Sequence, residues 1–170
     1  MRAYERFIKY VKIHTTSDEN SGTFPSSARQ FDLACLLAEE MKQMGIEDAR
    51  VDENCYVYGS IPATPGYEDR ICLGFLAHLD TSPDSSGENV VPMLWKGYDG
   101  GDIVLKMGRV ISPEMFPHLS DMKGRTLITS DGTTLLGADD KSGIAEIMTM
   151  AERLFKEDRP HGRIAIAFTP

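Results

Sequence analysis

Residues 71–77 constrain the fold more than any other stretch of the chain. The sequence there, ICLGFLA, is almost continuously apolar, and it ends at the polar residue His78. An apolar run of this length is typical of a β-strand that is covered on both faces, as in sheets flanked by helices. The sequence therefore predicts a buried strand over 71–77, with His78 emerging at its carboxyl end.

Three helices are predicted from the spacing of apolar residues. They lie over 3–13, from Ser27 to Gly45, and over 140–155. Ser27 and Gln30 have the spacing of a capping box, in which each side chain bonds the other's backbone N–H. Gly45 is a typical C-terminal stop, because glycine readily adopts the left-handed conformation that ends helices.

Further strands alternate with these helices. We predict them over 49–52, 56–61, 126–129, 134–136 and 163–168, with a tight turn at Asp131-Gly132. Strands alternating with helices indicate an α/β fold, with a mixed or mostly parallel sheet and helices on both faces. Residues 81–125 contain four prolines and several glycines, so we expect little regular structure and a functional, substrate-facing surface there.

The composition indicates which binding partners and which cellular compartment to expect for this protein. The formal net charge of −8 and the 41% of hydrophobic residues describe a soluble globular domain, and they disfavour nucleic acid or an anionic membrane as the main partner. No run approaches the roughly 18 apolar residues of a membrane span, and Arg2, Glu5 and Lys9 interrupt any N-terminal signal. The three cysteines form no disulfide pattern, so we expect a cytoplasmic protein.

His78-Leu79-Asp80 is the first segment with candidate chemistry. Residues two apart in an extended chain point the same way, so an imidazole and a carboxylate share one face at the strand end. Open α/β sheets bind ligands at this end, and a metal-bound histidine commonly donates its second N–H to a carboxylate. A surface histidine bonded to a turn-forming aspartate explains the tripeptide equally well, so both interpretations stay open here.

The second segment is GADDKSG at 137–143, between a short strand and a helix. Acids in this position also cap helices, and that structural role is the simpler explanation of the motif alone. A cap needs only one acid, whereas a carboxylate shared by two cations needs a tight turn and a fixed direction. His78 and Asp139 together offer donor types that suit zinc, but they are too few to fill one tetrahedral ion.

Together these segments resemble the peptidase T family of tripeptide aminopeptidases. The long matching runs are GFLAHLDTSPD at 74–84 and LLGADDK at 135–141, and shorter ones lie at 100–103, 112–113, 115–117, 126–129 and 167–170. The two long motifs keep their order and separation, and the resemblance covers nearly the whole chain. The family is part of a group of di-zinc peptidases that also includes aminoacylases and bacterial carboxypeptidases.

The resemblance implies a role for three residues. His78 is implied as a terminal ligand of one zinc ion, and Asp80 as the carboxylate that holds His78. Asp139 is implied as the carboxylate that bridges two zinc ions, with a cis peptide bond to Asp140 that aims it. The implied substrate is a short peptide, which loses its N-terminal residue to a metal-activated water.

The resemblance also implies residues that this chain lacks. In relatives, a Thr-Pro like Thr169-Pro170 leads into two adjacent glutamates, a general base and a zinc ligand. A further Asp, a late His and a lid or dimerisation domain follow. We therefore expect residues 1–170 to form an incomplete catalytic domain without the lid, inactive and weakly zinc-binding by itself. It would belong to a longer enzyme for which a homodimer is one expectation.

Other acidic and histidine residues are not expected in the site. Glu146 and Glu152 are assigned to a solvated helix face, and His14, His118 and His161 to loops or the surface. Two alternatives stay open: an aminoacylase or dipeptidase of the same clan, and a non-catalytic α/β binding module. Nucleotide binding is disfavoured, because no glycine-rich fingerprint or phosphate-binding loop is present.

Overall fold

A computed structural model describes all 170 residues of the chain. It contains three α-helices, which are Ala3–Tyr10 (α1), Gln30–Met44 (α2) and Ala138–Glu157 (α3). The strands are Arg50–Val51 (β1), Val57–Ile61 (β2), Leu73–His78 (β3), Met93–Trp95 (β4), Ile103–Val104 (β5), Val110–Ile111 (β6), Leu127–Thr129 (β7) and Ile164–Thr169 (β8). Two 3-10 helices span Lys106–Gly108 and Pro117–Met122. None of the helices combines the length and the apolarity that crossing a lipid bilayer requires.

The central sheet is mixed, which confirms the predicted α/β fold. Its strand order is β1-β2-β8-β3. Strand β8 pairs antiparallel with β2 and parallel with β3, and the β3–β8 register sets His78 opposite Thr169. Helix α3 lies between the parallel strands β3 and β8 in the chain, so it belongs to their crossover connection. The alternation of strand and helix patterns in the sequence predicted such a connection.

One face of the sheet carries the hydrophobic core. Residues of α1, α2 and α3 share this core with alternating residues of β2 and β8, namely Val57, Ile61, Ile164, Ile166 and Phe168. The intervening residues Ala165 and Ala167 point to the other face, which together with Gly74 and Leu76 forms an open groove. The three helices therefore cover a single face, whereas the sequence pattern had suggested both.

Strand β3 lies at the edge of this sheet. Ile71, Leu73 and Leu76 are 84%, 55% and 69% exposed, so the predicted burial of 71–77 on both faces is wrong for this chain. The physical reason is that no helix covers the face that carries Gly74 and Leu76, and that β3 lies at the edge of the sheet with β8 as its one strand neighbour. The strand itself is confirmed, but it runs over Leu73–His78 rather than 71–77.

Helix α2 begins later than predicted. Arg29 occupies the N-cap position without a side-chain cap, and it already has right-handed helical dihedral angles. The carbonyl of Ser27 accepts the N–H of Gln30 at 3.1 Å, so the capping box between these side chains is wrong. A turn over Ser27–Gln30 replaces it. Gly45 ends the helix in the left-handed conformation, with φ of 106°, as predicted.

The predicted strand over 134–136 is also wrong. The N–H of Leu135 donates to the carbonyl of Ser86 at 2.9 Å, and the hydroxyl of Ser130 donates to the carbonyl of Thr134 at 2.7 Å. These bonds satisfy the segment without a strand partner. Strand β7 pairs with β4 instead, so the turn at Asp131-Gly132 joins no hairpin. Residues 81–125 hold only short elements, as expected.

Candidate metal centre

His78 lies at the carboxyl end of β3, beside the end of β8. The N–H of the next residue, Leu79, donates to the carbonyl of Thr169 at 2.7 Å, and the Leu79 side chain is fully buried. This bond continues the strand past His78. It therefore brings Asp80 to the same side as His78, as the two-residue spacing predicted.

Asp80 fixes the proton on the His78 ring. Nδ1 of His78 lies 2.9 Å from Oδ1 of Asp80 and 3.1 Å from the Asp80 carbonyl oxygen. Both partners are acceptors, so Nδ1 must donate. The ring is thereby oriented with its other nitrogen, Nε2, directed away from Asp80, which is the arrangement of a metal-binding histidine supported by a carboxylate.

Asp139 contacts the other ring nitrogen of His78, Nε2. Its Oδ1 lies 2.9 Å from Nε2 of His78, although the two residues are 61 positions apart in the chain. The Asp139 side chain is 94% exposed and that of His78 is 39% exposed, so the pair faces solvent. Burial lowers the pKa of His78, but the bonds to Asp139 and Asp80 outweigh it and raise that pKa overall.

The turn before α3 separates the roles of its two acids. Gly137 has φ of 78°, a conformation that favours glycine, and the bond between Asp139 and Asp140 is cis, as the resemblance implied. Oδ1 of Asp140 accepts the N–H of Gly143 at 3.2 Å. A Cβ at Gly143 would lie 2.5 Å from that oxygen, so the close approach requires glycine. Asp140 thus serves the helix start and leaves Asp139 for the site.

The donor set fits half of a zinc site. An imidazole nitrogen and a carboxylate oxygen already face each other, and zinc takes both donor types. No group of three or more His, Cys, Asp or Glu residues in the chain could hold a metal ion by itself. His78 and Asp139 would therefore hold zinc only together with further ligands.

Two neighbours of the site were missed at the sequence level. The hydroxyl of Ser17 donates to Oδ2 of Asp80. The ammonium of Lys141, only 2% exposed, donates to the carbonyl of Ile13 at 2.7 Å. Burial lowers the pKa of Lys141 to about 8, against the attraction of Asp80. Lys141 lies inside the GADDKSG motif, but nothing in the sequence indicated its burial or the contact of Ser17.

The remaining candidates lie outside the site. Glu146 is exposed on α3, as expected. Glu152 is not simply solvated, because its Oε2 bonds the buried Arg6 guanidinium at 2.9 Å and the N-terminal amine at 2.6 Å. The other three histidines are not bonded to His78, Asp80 or Asp139: His14 contacts Arg29, His118 packs against Phe116, and His161 contacts the Gly162 carbonyl.

The fold is that of peptidase catalytic domains. The structure of the aminopeptidase PepT from Bacillus cereus superposes with a TM-score of 0.65 at 21% identity, over 98% of this chain and 35% of that one. A tripeptidase from Staphylococcus aureus gives a TM-score of 0.63 at 22% identity, over 98% and 35%. Aminoacylhistidine dipeptidase from Vibrio alginolyticus gives 0.59 at 21% identity, over 98% and 26%.

The chain is also similar in sequence to proteins named peptidase T. Peptidase T from Alkaliphilus oremlandii is 52% identical over 98% of this chain and 42% of its own length. Peptidase T from Bacillus velezensis is 54% identical over 98% of this chain and 41% of its own length. No protein-family model matches the chain. The resemblance to peptidase T is thus confirmed, and the chain spans about two fifths of the length of these relatives.

Proposed function

We propose that this chain is the N-terminal part of a metallo-aminopeptidase that removes the N-terminal residue from tripeptides. The observation that supports it most is the juxtaposition of His78, oriented by Asp80, with Asp139. Relatives that are 52–54% identical and are named peptidase T support the same activity. The substrate is a short peptide, and the protein acts in the cytoplasm.

Each of the three residues has a defined part in this proposal. His78, through Nε2, and Asp139, through its carboxylate, would hold zinc. Asp80 keeps the proton on Nδ1 and so keeps Nε2 available. Zinc bound at such a centre polarises the scissile carbonyl and lowers the pKa of a water. In a centre that takes two ions, Asp139 would be the carboxylate shared between them.

Residues 1–170 form an incomplete catalytic domain in this proposal. Their donors fall short of the three or four that a zinc ion needs. The general base, the remaining ligands and a lid or dimerisation domain belong to a longer chain, for which a homodimer is expected. The 170 residues alone would bind zinc weakly and hydrolyse nothing.

A substrate panel tests the proposal. The product of the gene read beyond codon 170 is assayed with free tripeptides, dipeptides and N-acyl amino acids. We expect hydrolysis of tripeptides at the N-terminal bond, and a loss of about 10³-fold in His78→Ala, because a metal ligand supplies several kcal/mol to the transition state.

The matched control is His161→Ala, which removes a histidine before the start of β8, at the opposite end of that strand from Thr169 and His78, and should keep full activity. Cleavage of acylated substrates alone would assign the protein to the aminoacylases instead. Wild-type activity of both His78→Ala and Asp139→Ala would exclude a catalytic centre built on these residues, and no hydrolysis of any substrate in the panel would leave the non-catalytic binding module.

A further inference from the structure

Asp80 is bonded through both of its carboxylate oxygens. Oδ1 accepts the Nδ1 proton of His78, and Oδ2 accepts the hydroxyl proton of Ser17. We propose that Ser17 is a positioning residue, which holds the Asp80 carboxylate in the plane that orients His78. The inference rests on the proposed role of His78 as a ligand, and it adds a residue to the centre that no motif indicates.

The backbone holds Ser17 in place independently of its side chain. The N–H of Ser17 donates to the carbonyl of Thr81 at 3.0 Å, and the N–H of Thr81 donates to the carbonyl of Thr15 at 3.3 Å. Thr16 and Thr81 form a parallel bridge, with their hydroxyl oxygens 3.2 Å apart. Residues 15–17 therefore run as a short extended segment beside 79–81, and the Ser17 hydroxyl is presented to Asp80 by fixed main chain.

Lys141 connects the segment 15–17 to the turn that carries Asp139. Its buried ammonium donates to the carbonyl of Ile13, two residues before Thr15. Lys141 itself follows directly on the Asp139-Asp140 turn. The segment carrying Ser17 is thus anchored both to the strand end that carries His78 and to the turn that carries Asp139. A shift of the strand end that carries His78, or of the turn that carries Asp139, would strain this same short segment.

Removing the hydroxyl should release the carboxylate. A carboxylate turns readily about its terminal torsion, because that torsion has no sharp minima. Without Ser17, the bond from His78 Nδ1 is the one remaining side-chain bond on Asp80. The proton on Nδ1 would then exchange with water more rapidly, while the contact of Nε2 with Asp139 remains.

The test is side-chain NMR of the ¹⁵N-labelled 170-residue chain without metal. In the wild type we expect a slowly exchanging Nδ1 proton on His78 and a protected hydroxyl proton on Ser17. Ser17→Ala should lose the His78 signal, and Ser17→Thr, which keeps a hydroxyl, should retain it. The control Ser21→Ala should also retain it, because the Ser21 hydroxyl contacts only Thr23 in the same loop.

A wild-type signal in Ser17→Ala overturns the inference, as does its loss in Ser17→Thr and Ser21→Ala alike. The backbone amide spectrum shows whether each variant is folded. Should Ser17→Ala unfold, the wild-type hydroxyl decides: an unprotected Ser17 proton contradicts the proposed bond. None of these measurements uses zinc or substrate, so failure of the proposed enzymatic function would leave their outcome unaffected.

Discussion

At the scale of single residues, the neighbouring acids Asp139 and Asp140 have different contacts. Asp140 accepts the N–H of Gly143 and so takes the structural role that acids commonly have at a helix start. Asp139 is left almost fully exposed, 2.9 Å from the His78 ring. The turn therefore provides one acid for the helix start and leaves the other beside His78, so the motif has an acid to spare for the proposed ligand role.

Asp131 is a buried acid outside the site, and its neighbours lower its pKa. Its side chain is 5% exposed. It accepts the hydroxyl of Thr133 at 2.6 Å and the N–H of Thr133 at 2.9 Å, and Lys106 lies 3.0 Å away. The Thr133 bonds first, and then Lys106, lower the pKa of Asp131 from 3.8 to about 2.

This lowered pKa predicts an acid-dependent loss of stability. Because the folded state holds Asp131 charged, its contribution is fully present above pH 3.8 and is lost as the pH falls through about 2. Asp131→Asn should lower the melting temperature at pH 6 and flatten its pH dependence over that window. Asp121→Asn, at an exposed position, is the control. Equal pH profiles for wild type and Asp131→Asn would contradict the assignment.

At the scale of elements, two glycines report which face of the sheet is packed. Gly59 of β2 lies against α2, where a Cβ would come within 2.3 Å of Met41 Cε and 2.9 Å of Ile46 Cγ2. Gly74 of β3 lies on the open face, where a Cβ would meet nothing within 4 Å. The same substitution therefore has opposite steric consequences in the two strands.

We predict that Gly59→Ala destabilises the chain by about 1–3 kcal/mol through overpacking. The Met41 methyl can move, but Ile46 is fixed close to the sheet. Gly74→Ala should be neutral or slightly stabilising, since alanine loses less backbone freedom on folding. Urea denaturation of both variants measures the difference. Comparable destabilisation in both would contradict a core confined to one face.

At the scale of the whole molecule, the sequence predicted the elements that depend on contacts between residues close together in the chain. Helix α2, the strand ending at His78 and strand β8 follow from residue periodicity, and the pairing of His78 with Asp80 follows from the two-residue repeat. The prediction for 134–136 was wrong because its partner, the Ser86 carbonyl, is distant in the chain; the predicted start of α2 was wrong because a local turn uses the Ser27 carbonyl instead of its side chain.

Long-range arrangements required the structure. An apolar run such as 71–77 records a preference for burial but not what covers the strand, and in this chain one face is open. The contact of Ser17 with Asp80 joins residues 63 positions apart, in a loop without a motif. Asp139 was predicted as a ligand because its motif resembles a family, since the motif alone allowed a helix cap.

Zinc titration of the 170-residue chain, followed at the ring nitrogens of its four histidines, tests the central claim most directly. We predict that Nε2 of His78 shifts with added zinc, that the titration weakens in Asp139→Asn, and that His14, His118 and His161 stay unchanged. A His78 ring that does not respond, or a response confined to the other histidines, would contradict a metal centre built on His78 and Asp139.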